Sequence, residues 1–87
     1  MTTTTIYKYY DADNNRVFYD WTADRPFDEY NGKYMMTLPE DCKVYKKDCF
    51  TYIEHDGELY DLLTDKDAKP YIQVGKYKRV YFDIVEG

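Results

Sequence analysis

The chain has 87 residues, of which 17 are acidic and 12 basic, so its formal net charge is −5. This balance opposes binding to phosphate backbones or anionic lipid, because both require a basic surface. Residues 1–87 are predicted to form a single acidic, tyrosine-rich β domain. Its core must use many of the twelve tyrosines, four phenylalanines and one tryptophan, because aliphatic residues are scarce.

The chain start and the cysteines bear on location. The first six residues, MTTTTI, contain neither a basic start nor an apolar run, so we expect no signal peptide. No stretch approaches the roughly 18 apolar residues of a transmembrane helix, so no membrane association is expected. Cys42 and Cys49 are therefore predicted to be reduced thiols in a cytoplasmic protein.

Strand patterns dominate the first third of the chain. Residues 5–10 and 16–21 are rich in β-branched and aromatic side chains and are predicted to form a hairpin. Residues 22–30 break the alternation, and a helical turn capped by Asp24 and a loop or 3₁₀ turn are equal alternatives there. The dipeptide Asn31-Gly32 then predicts a tight turn.

The strongest structural signal lies at residues 50–63. The dipeptide Asp56-Gly57 predicts a hairpin turn, but two registers are open. A two-residue turn pairs Ile53 with Tyr60, whereas a three-residue loop that also includes His55 pairs Ile53 with Leu59. We favour the three-residue loop because it matches an apolar residue with an apolar residue.

Further strands complete an all-β pattern. Residues 43–46, 71–74 and 79–85 are predicted strands, and Val80, Phe82 and Ile84 of the last one are assigned to the core. The chain then contains six to eight short strands with at most one or two short helical turns. This predicts a mainly β, antiparallel domain: a meander, a small barrel or a sandwich.

The residues give weak support for metal binding or catalysis. Cys42, Cys49 and His55 lack the closely spaced ligand pairs of structural zinc sites, so no metal or other cofactor is predicted. The single histidine lies in or beside a turn, which does not favour a cysteine nucleophile. Acidic pairs are frequent, but so small a β domain has little room for two carboxylates facing each other across a cleft. We therefore predict that the protein is not an enzyme.

Acidic and aromatic residues give the clearest indication of function. Residues 11–29 contain six acids and two bases, and residues 40–69 contain nine and five. Carboxylates two residues apart on a strand lie about 6.7 Å apart, which is comparable to phosphate spacing. Aromatic side chains are favoured interface anchors. The candidate partner-binding residues lie in the irregular loop and at the central hairpin tip: Asp24, Phe27, Asp28, Glu29, Tyr30, Glu54, Asp56 and Glu58.

In size, charge and aromatic content, the chain resembles small acidic proteins of phages and mobile elements that inhibit host defence nucleases, such as anti-CRISPR or anti-restriction proteins. The resemblance implies a DNA mimic that occupies the basic nucleic-acid-binding surface of a protein partner and binds no nucleic acid itself. The alternative is a small β adaptor or accessory domain that binds a peptide along a strand edge and a tyrosine-lined groove. Binding weakens steeply with salt in the first case and little in the second.

Overall fold

The computed structural model describes residues 2–87, which form ten β-strands in three antiparallel sheets. In chain order the strands are β1 (Thr2–Asp11), β2 (Arg16–Asp20), β3 (Glu29–Leu38), β4 (Cys42–Lys47), β5 (Phe50–His55), β6 (Glu58–Tyr60), β7 (Leu63–Thr64), β8 (Pro70–Gln73), β9 (Arg79–Tyr81) and β10 (Asp83–Glu86). The predicted mainly β class is confirmed. The strands outnumber the six to eight expected, and no described residue is helical.

The first sheet has the order β10-β3-β1-β2. Its pairing shows that the predicted turn at Asn31-Gly32 is wrong. Lys8 pairs with Gly32 and Tyr9 with Tyr30, so Asn31 is the extra residue of a β-bulge. Gly32 has a φ of 128°. The dipeptide bends β3 without reversing it, because the long strand β1 provides continuous pairing on both sides of the bulge.

The second sheet has the order β4-β5-β6 and shows that the preferred three-residue loop is wrong. Ile53 pairs with Tyr60 around a two-residue turn, and Asp56 and Gly57 have φ angles of 51° and 80°. Two consecutive positive φ angles characterise the tight turn that matches strand twist. This register also places Glu54 opposite Leu59. The three-residue loop would place Glu54 opposite Glu58, a repulsive pair that the observed register avoids.

The third sheet has the order β7-β8-β9. Residues 79–85 were predicted to form one last strand, and this prediction is wrong. That segment divides at Phe82. β9 pairs with β8 in the third sheet, whereas β10 pairs with β3 in the first. The backbone N–H of Phe82 donates to the carbonyl of Pro70 over 3.0 Å, so the segment joins two sheets.

All three sheets contribute to one core. Its buried residues are Ile6, Tyr19, Met36, Leu38, Cys42, Ile53, Ile72 and Phe82. The predicted core residues are confirmed, because Phe82 is buried and Val80 and Ile84 pack against the cluster. Trp21, the first residue after β2, also packs against this core.

Candidate partner-binding loop and hairpin tip

The β2–β3 loop (residues 21–28) is closed by one arginine. The guanidinium of Arg25 lies 2.8 Å from a carboxylate oxygen of Asp20, the last residue of β2. It also lies 2.9 Å from the carboxylate of Asp28, just before β3. Pro26 limits the backbone freedom between these contacts. The loop has one backbone turn, from the N–H of Asp28 to the carbonyl of Arg25, so the loop alternative at Asp24 is the one observed.

An aromatic layer supports the loop from below. The hydroxyl of the buried Tyr9 donates a 2.7 Å hydrogen bond to the carbonyl of Thr22, and Phe18 stacks on the Tyr9 ring at 5.6 Å. The guanidinium carbon of Arg25 lies 5.0 Å from the Phe18 centroid. Burial, and then the negative charge of Asp20, raise the pKa of Tyr9, so its hydroxyl remains a donor. The backbone of the loop is therefore held at several points.

The predicted loop residues have different environments. Phe27 is 98% exposed, and Asp24 and Glu29 are also exposed. Tyr30 is half exposed and packs edge-on against Tyr9 at 5.8 Å. The side chain of Asp28 is only 19% exposed, because it binds Arg25. Asp28 thus supports the loop, while the other four candidates face solvent.

One of the three predicted hairpin-tip carboxylates is paired with a cation. Glu54 forms a 3.3 Å ion pair with Lys43 on the adjacent strand. Asp56 occupies the turn, 3.5 Å from His55 Nε2. Glu58 is exposed and pairs across the hairpin with His55. One lysine and one histidine therefore lie among these three carboxylates.

The two predicted groups form separate surfaces. Thr22 and Arg25 line a cavity together with Cys49 and Phe50, at the start of β5. Asp56 follows the end of the same strand. Five residues of extended strand span about 17 Å. Sequence spacing gave no information on this separation, which depends on the start of β5, and not its end, lying near the β2–β3 loop.

The second sheet also brings together Asp41, Cys42 and His55. Cys42 and His55 are direct partners across β4 and β5, and Cys42 Sγ lies 3.4 Å from His55 Nδ1. Asp41 Oδ2 is 3.5 Å from the same nitrogen. Cys49 is exposed in the turn between β4 and β5, at the other end of these strands. Of the three residues considered from the sequence, Cys42 and His55 therefore lie together and Cys49 lies apart.

The Cys42 thiol is poorly suited to nucleophilic attack. Burial, followed by the nearby charge of Asp41, raises its pKa to about 11. A thiol with so high a pKa is almost entirely protonated at neutral pH, and the thiolate is the reactive form. The sequence signal that could have found this pair is the cross-strand position of Cys42 and His55, at equal distances from the turn between Lys47 and Phe50.

A cavity lined by β2 and β7 lacks a pair of facing carboxylates among its described lining residues. It has a volume of about 820 Å³, and among its lining residues Asp65 is the one acid. An Asp65 oxygen accepts the backbone N–H groups of Asp67 and Lys69, each over 2.9 Å. The hydrogen bond from Lys69 is the largest cause that lowers the Asp65 pKa. This carboxylate therefore stabilises its own loop.

Comparison with known proteins provides no relative from which a role can be transferred. No family model matches the chain, and neither the curated proteins nor the solved structures contain a match. Within residues 2–87, no helix has the length and apolar character needed to cross a membrane.

Proposed function

We propose that the protein is a non-enzymatic binding protein whose β2–β3 loop docks on a basic protein surface, with Phe27 as the anchor. The observation that carries this proposal is the 98% exposure of Phe27 on a loop held by Arg25. Burial of a phenylalanine side chain contributes about 1.5–3 kcal/mol. A loop already held in place loses less entropy on binding, so more of that energy remains as affinity.

Charge supports a basic partner. Residues 20–30 contain four acids and one base, and the one base, Arg25, is engaged by Asp20 and Asp28. Asp24 and Glu29 are left exposed beside Phe27. Carboxylates around an apolar anchor favour association with arginine and lysine side chains and suppress acidic partners.

The proposed partner is a protein that handles nucleic acid. Such proteins carry concentrated basic surfaces, and an acidic domain that covers one blocks access to DNA or RNA. This is the mode implied by the resemblance to phage anti-CRISPR and anti-restriction proteins. Phe27 provides the apolar contact in this account, and the carboxylates determine the partner's charge and accelerate association.

The experiment compares capture by the wild type, Phe27→Ala and Val85→Ala. Val85 is a matched control, since it is 64% exposed and pairs with Met35, about 17 Å along β3 from Tyr30. Each tagged protein is incubated with nuclease-treated lysate of the host cell, washed free of the nuclease and eluted with a salt gradient. We expect a basic protein that salt elutes, that added DNA or RNA displaces, and that Phe27→Ala alone fails to capture. Equal capture by Phe27→Ala would contradict the proposal.

A second candidate function is supported by the outer face of the second sheet. Tyr45 and Tyr52 are direct partners there, Phe50 lies 6.4 Å from Tyr52, and Phe50 and Leu59 are exposed. β4 is an edge strand of this sheet, and edge strands can accept an added peptide strand. An adaptor of this kind would retain its partner in high salt and in Phe27→Ala, and would lose it in Tyr45→Ala.

A further inference from the structure

Three different metal-binding side chains meet beside the central hairpin. Asp41 lies in the turn that ends with a 3.0 Å hydrogen bond from the Cys42 N–H to the Pro39 carbonyl. Cys42 begins β4, and His55 ends β5 directly opposite it. Their sulfur, nitrogen and oxygen ligand atoms all lie within 4.8 Å of one another. We propose that Asp41, Cys42 and His55 bind a divalent metal ion, with Zn²⁺ as the ion that fits best.

The distances match tetrahedral coordination. With Zn–S near 2.3 Å and Zn–N near 2.0 Å, a tetrahedral ion holds sulfur and nitrogen about 3.5 Å apart. Cys42 Sγ and His55 Nδ1 are 3.4 Å apart. A nitrogen and an oxygen at about 2.0 Å from zinc lie about 3.3 Å apart, and His55 Nδ1 and Asp41 Oδ2 are 3.5 Å apart. The third pair of ligand atoms, on Cys42 and Asp41, lies within 4.8 Å, and rotation of the exposed Asp41 side chain can bring it to the roughly 3.5 Å of a tetrahedral ion.

The surroundings of His55 support the same assignment. Its second ring nitrogen, Nε2, lies 3.5 Å from a carboxylate oxygen of Asp56. Histidine ligands commonly direct their other ring N–H to a carboxylate, which leaves the first nitrogen free to coordinate. In the tautomer with the proton on Nε2, Asp56 lies near that N–H and the Nδ1 lone pair is available to an ion; in the metal-free protein Asp41, also 3.5 Å from Nδ1, attracts a proton to Nδ1 equally. A thiol donating to Nδ1 would use the same tautomer, so the experiment must separate metal binding from this hydrogen bond.

The site is accessible and its charge favours cations. A small cavity of about 210 Å³ opens beside it. Its charged lining residues are four acids and one lysine: Glu40, Asp41, Glu54, Asp56 and Lys43. Three protein ligands leave the fourth position of a tetrahedral ion to water or to a side chain of a partner. On binding, the Cys42 thiol releases its proton to the solvent and the thiolate coordinates the ion.

The test is titration of the chelator-treated, full-length protein with Zn²⁺ by calorimetry and with Co²⁺ by absorption. Cys49→Ser is the matched control, because Cys49 is the other thiol and lies at the far end of the hairpin. We expect one ion per chain and a thiolate-to-cobalt charge-transfer band in the wild type and in Cys49→Ser. Cys42→Ser should lose the band. Asp56→Asn, which keeps a residue suited to the turn, should weaken Zn²⁺ binding by about 10-fold.

Several outcomes would overturn the proposal. They are the absence of Zn²⁺ binding at micromolar concentration in the wild type, a charge-transfer band that Cys49→Ser loses, and unchanged affinity in Cys42→Ser. Because Cys42 is buried in the core, its variant could fail to fold. Asp41→Asn changes an exposed ligand and keeps the Cys42 thiol, which can still donate a hydrogen bond to His55 Nδ1. It should bind Zn²⁺ at least about 10-fold more weakly than the wild type, and an unchanged affinity contradicts the site.

Discussion

At the scale of single residues, Arg25 determines the shape of the candidate binding loop. Its contacts with Asp20 and Asp28 join the end of β2 to the start of β3, and its guanidinium covers the Phe18 ring. The sequence pattern indicated an irregular segment with an exposed ring. It did not indicate that Arg25 would bind Asp20 as well as Asp28, because the contact with Asp20 depends on where β2 ends.

Substitution of Arg25 by methionine should therefore loosen the loop with little loss of global stability. Both ion pairs are partly exposed, and exposed pairs contribute about 0.2–1 kcal/mol each. We expect a small decrease in melting temperature and faster amide hydrogen exchange over residues 22–28. Lys43→Met, which breaks an ion pair between adjacent strands, is the control. If amide exchange in residues 22–28 is the same in Arg25→Met and the wild type, the ion pairs of Arg25 do not hold the loop.

Tyr19 gives a prediction with a pH dependence. Its hydroxyl donates to the Ala68 carbonyl over 2.7 Å, and burial raises the pKa of Tyr19 to about 12. The folded protein holds this proton more tightly than the unfolded chain does. The stability that the protonated Tyr19 contributes is therefore complete below pH 10 and declines as pH rises towards 12. Tyr19→Phe should lower the free energy of unfolding by about 1 kcal/mol at neutral pH.

The measurement for Tyr19 is chemical unfolding at several pH values. The difference between the wild type and Tyr19→Phe should shrink between pH 10 and 12, because the wild type alone loses this contribution there. Tyr77→Phe serves as the control, since Tyr77 is 90% exposed and should show no difference at any pH. A difference that grows with alkaline pH would show that the assigned sign is wrong.

At the scale of elements, similar dipeptides produced different structures. Asp56-Gly57 forms a two-residue turn, the alternative that was not favoured from the sequence, whereas Asn31-Gly32 forms a bulge within β3. Local residue preferences identify a position that accepts positive φ but do not decide whether the chain reverses there. That outcome depends on pairing with β1. The register of the central hairpin was open for a related reason, since both registers satisfied the local pattern.

The turn glycine provides a direct test of element geometry. Gly57 has a φ of 80° and no atom within 4 Å of an added Cβ, so Gly57→Ala introduces backbone strain without a clash. We expect a loss of about 1 kcal/mol in the free energy of unfolding. Gly75→Ala is the control, because its added Cβ would make only an ordinary 3.5 Å contact with Lys78. Equal stability of Gly57→Ala and the wild type would contradict the assigned turn.

At the scale of the whole molecule, the mainly β class and part of the core were predictable because strand preference and alternation are local properties. The division of the last segment at Phe82 was not, since it depends on two separate pairing partners, β8 and β3. The separation of the β2–β3 loop from the hairpin tip also depends on contacts between segments that are distant in the sequence. The sequence identified exposed aromatic and acidic residues, and the packing of the sheets decided which of them lie together.

A core shared by three sheets should unfold cooperatively. Ile53, on the central strand of the second sheet, is fully buried, and Ile53→Ala should lower the free energy of unfolding by about 2–4 kcal/mol. Val85→Ala, at an exposed position, should change it by less than about 0.5 kcal/mol. Circular dichroism and tyrosine fluorescence should report coincident transitions. Separate transitions would indicate that the second sheet unfolds independently of the other two.

The most direct test of the proposed function is the dissociation constant of the captured partner for the wild type, Phe27→Ala and Val85→Ala at low and high salt. We expect Phe27→Ala to weaken binding by about 10-fold or more, as loss of an anchor does, and Val85→Ala to bind as the wild type does. We also expect the wild-type constant to rise steeply with salt. Equal constants for Phe27→Ala and Val85→Ala, or a wild-type constant independent of salt, would contradict the proposed function.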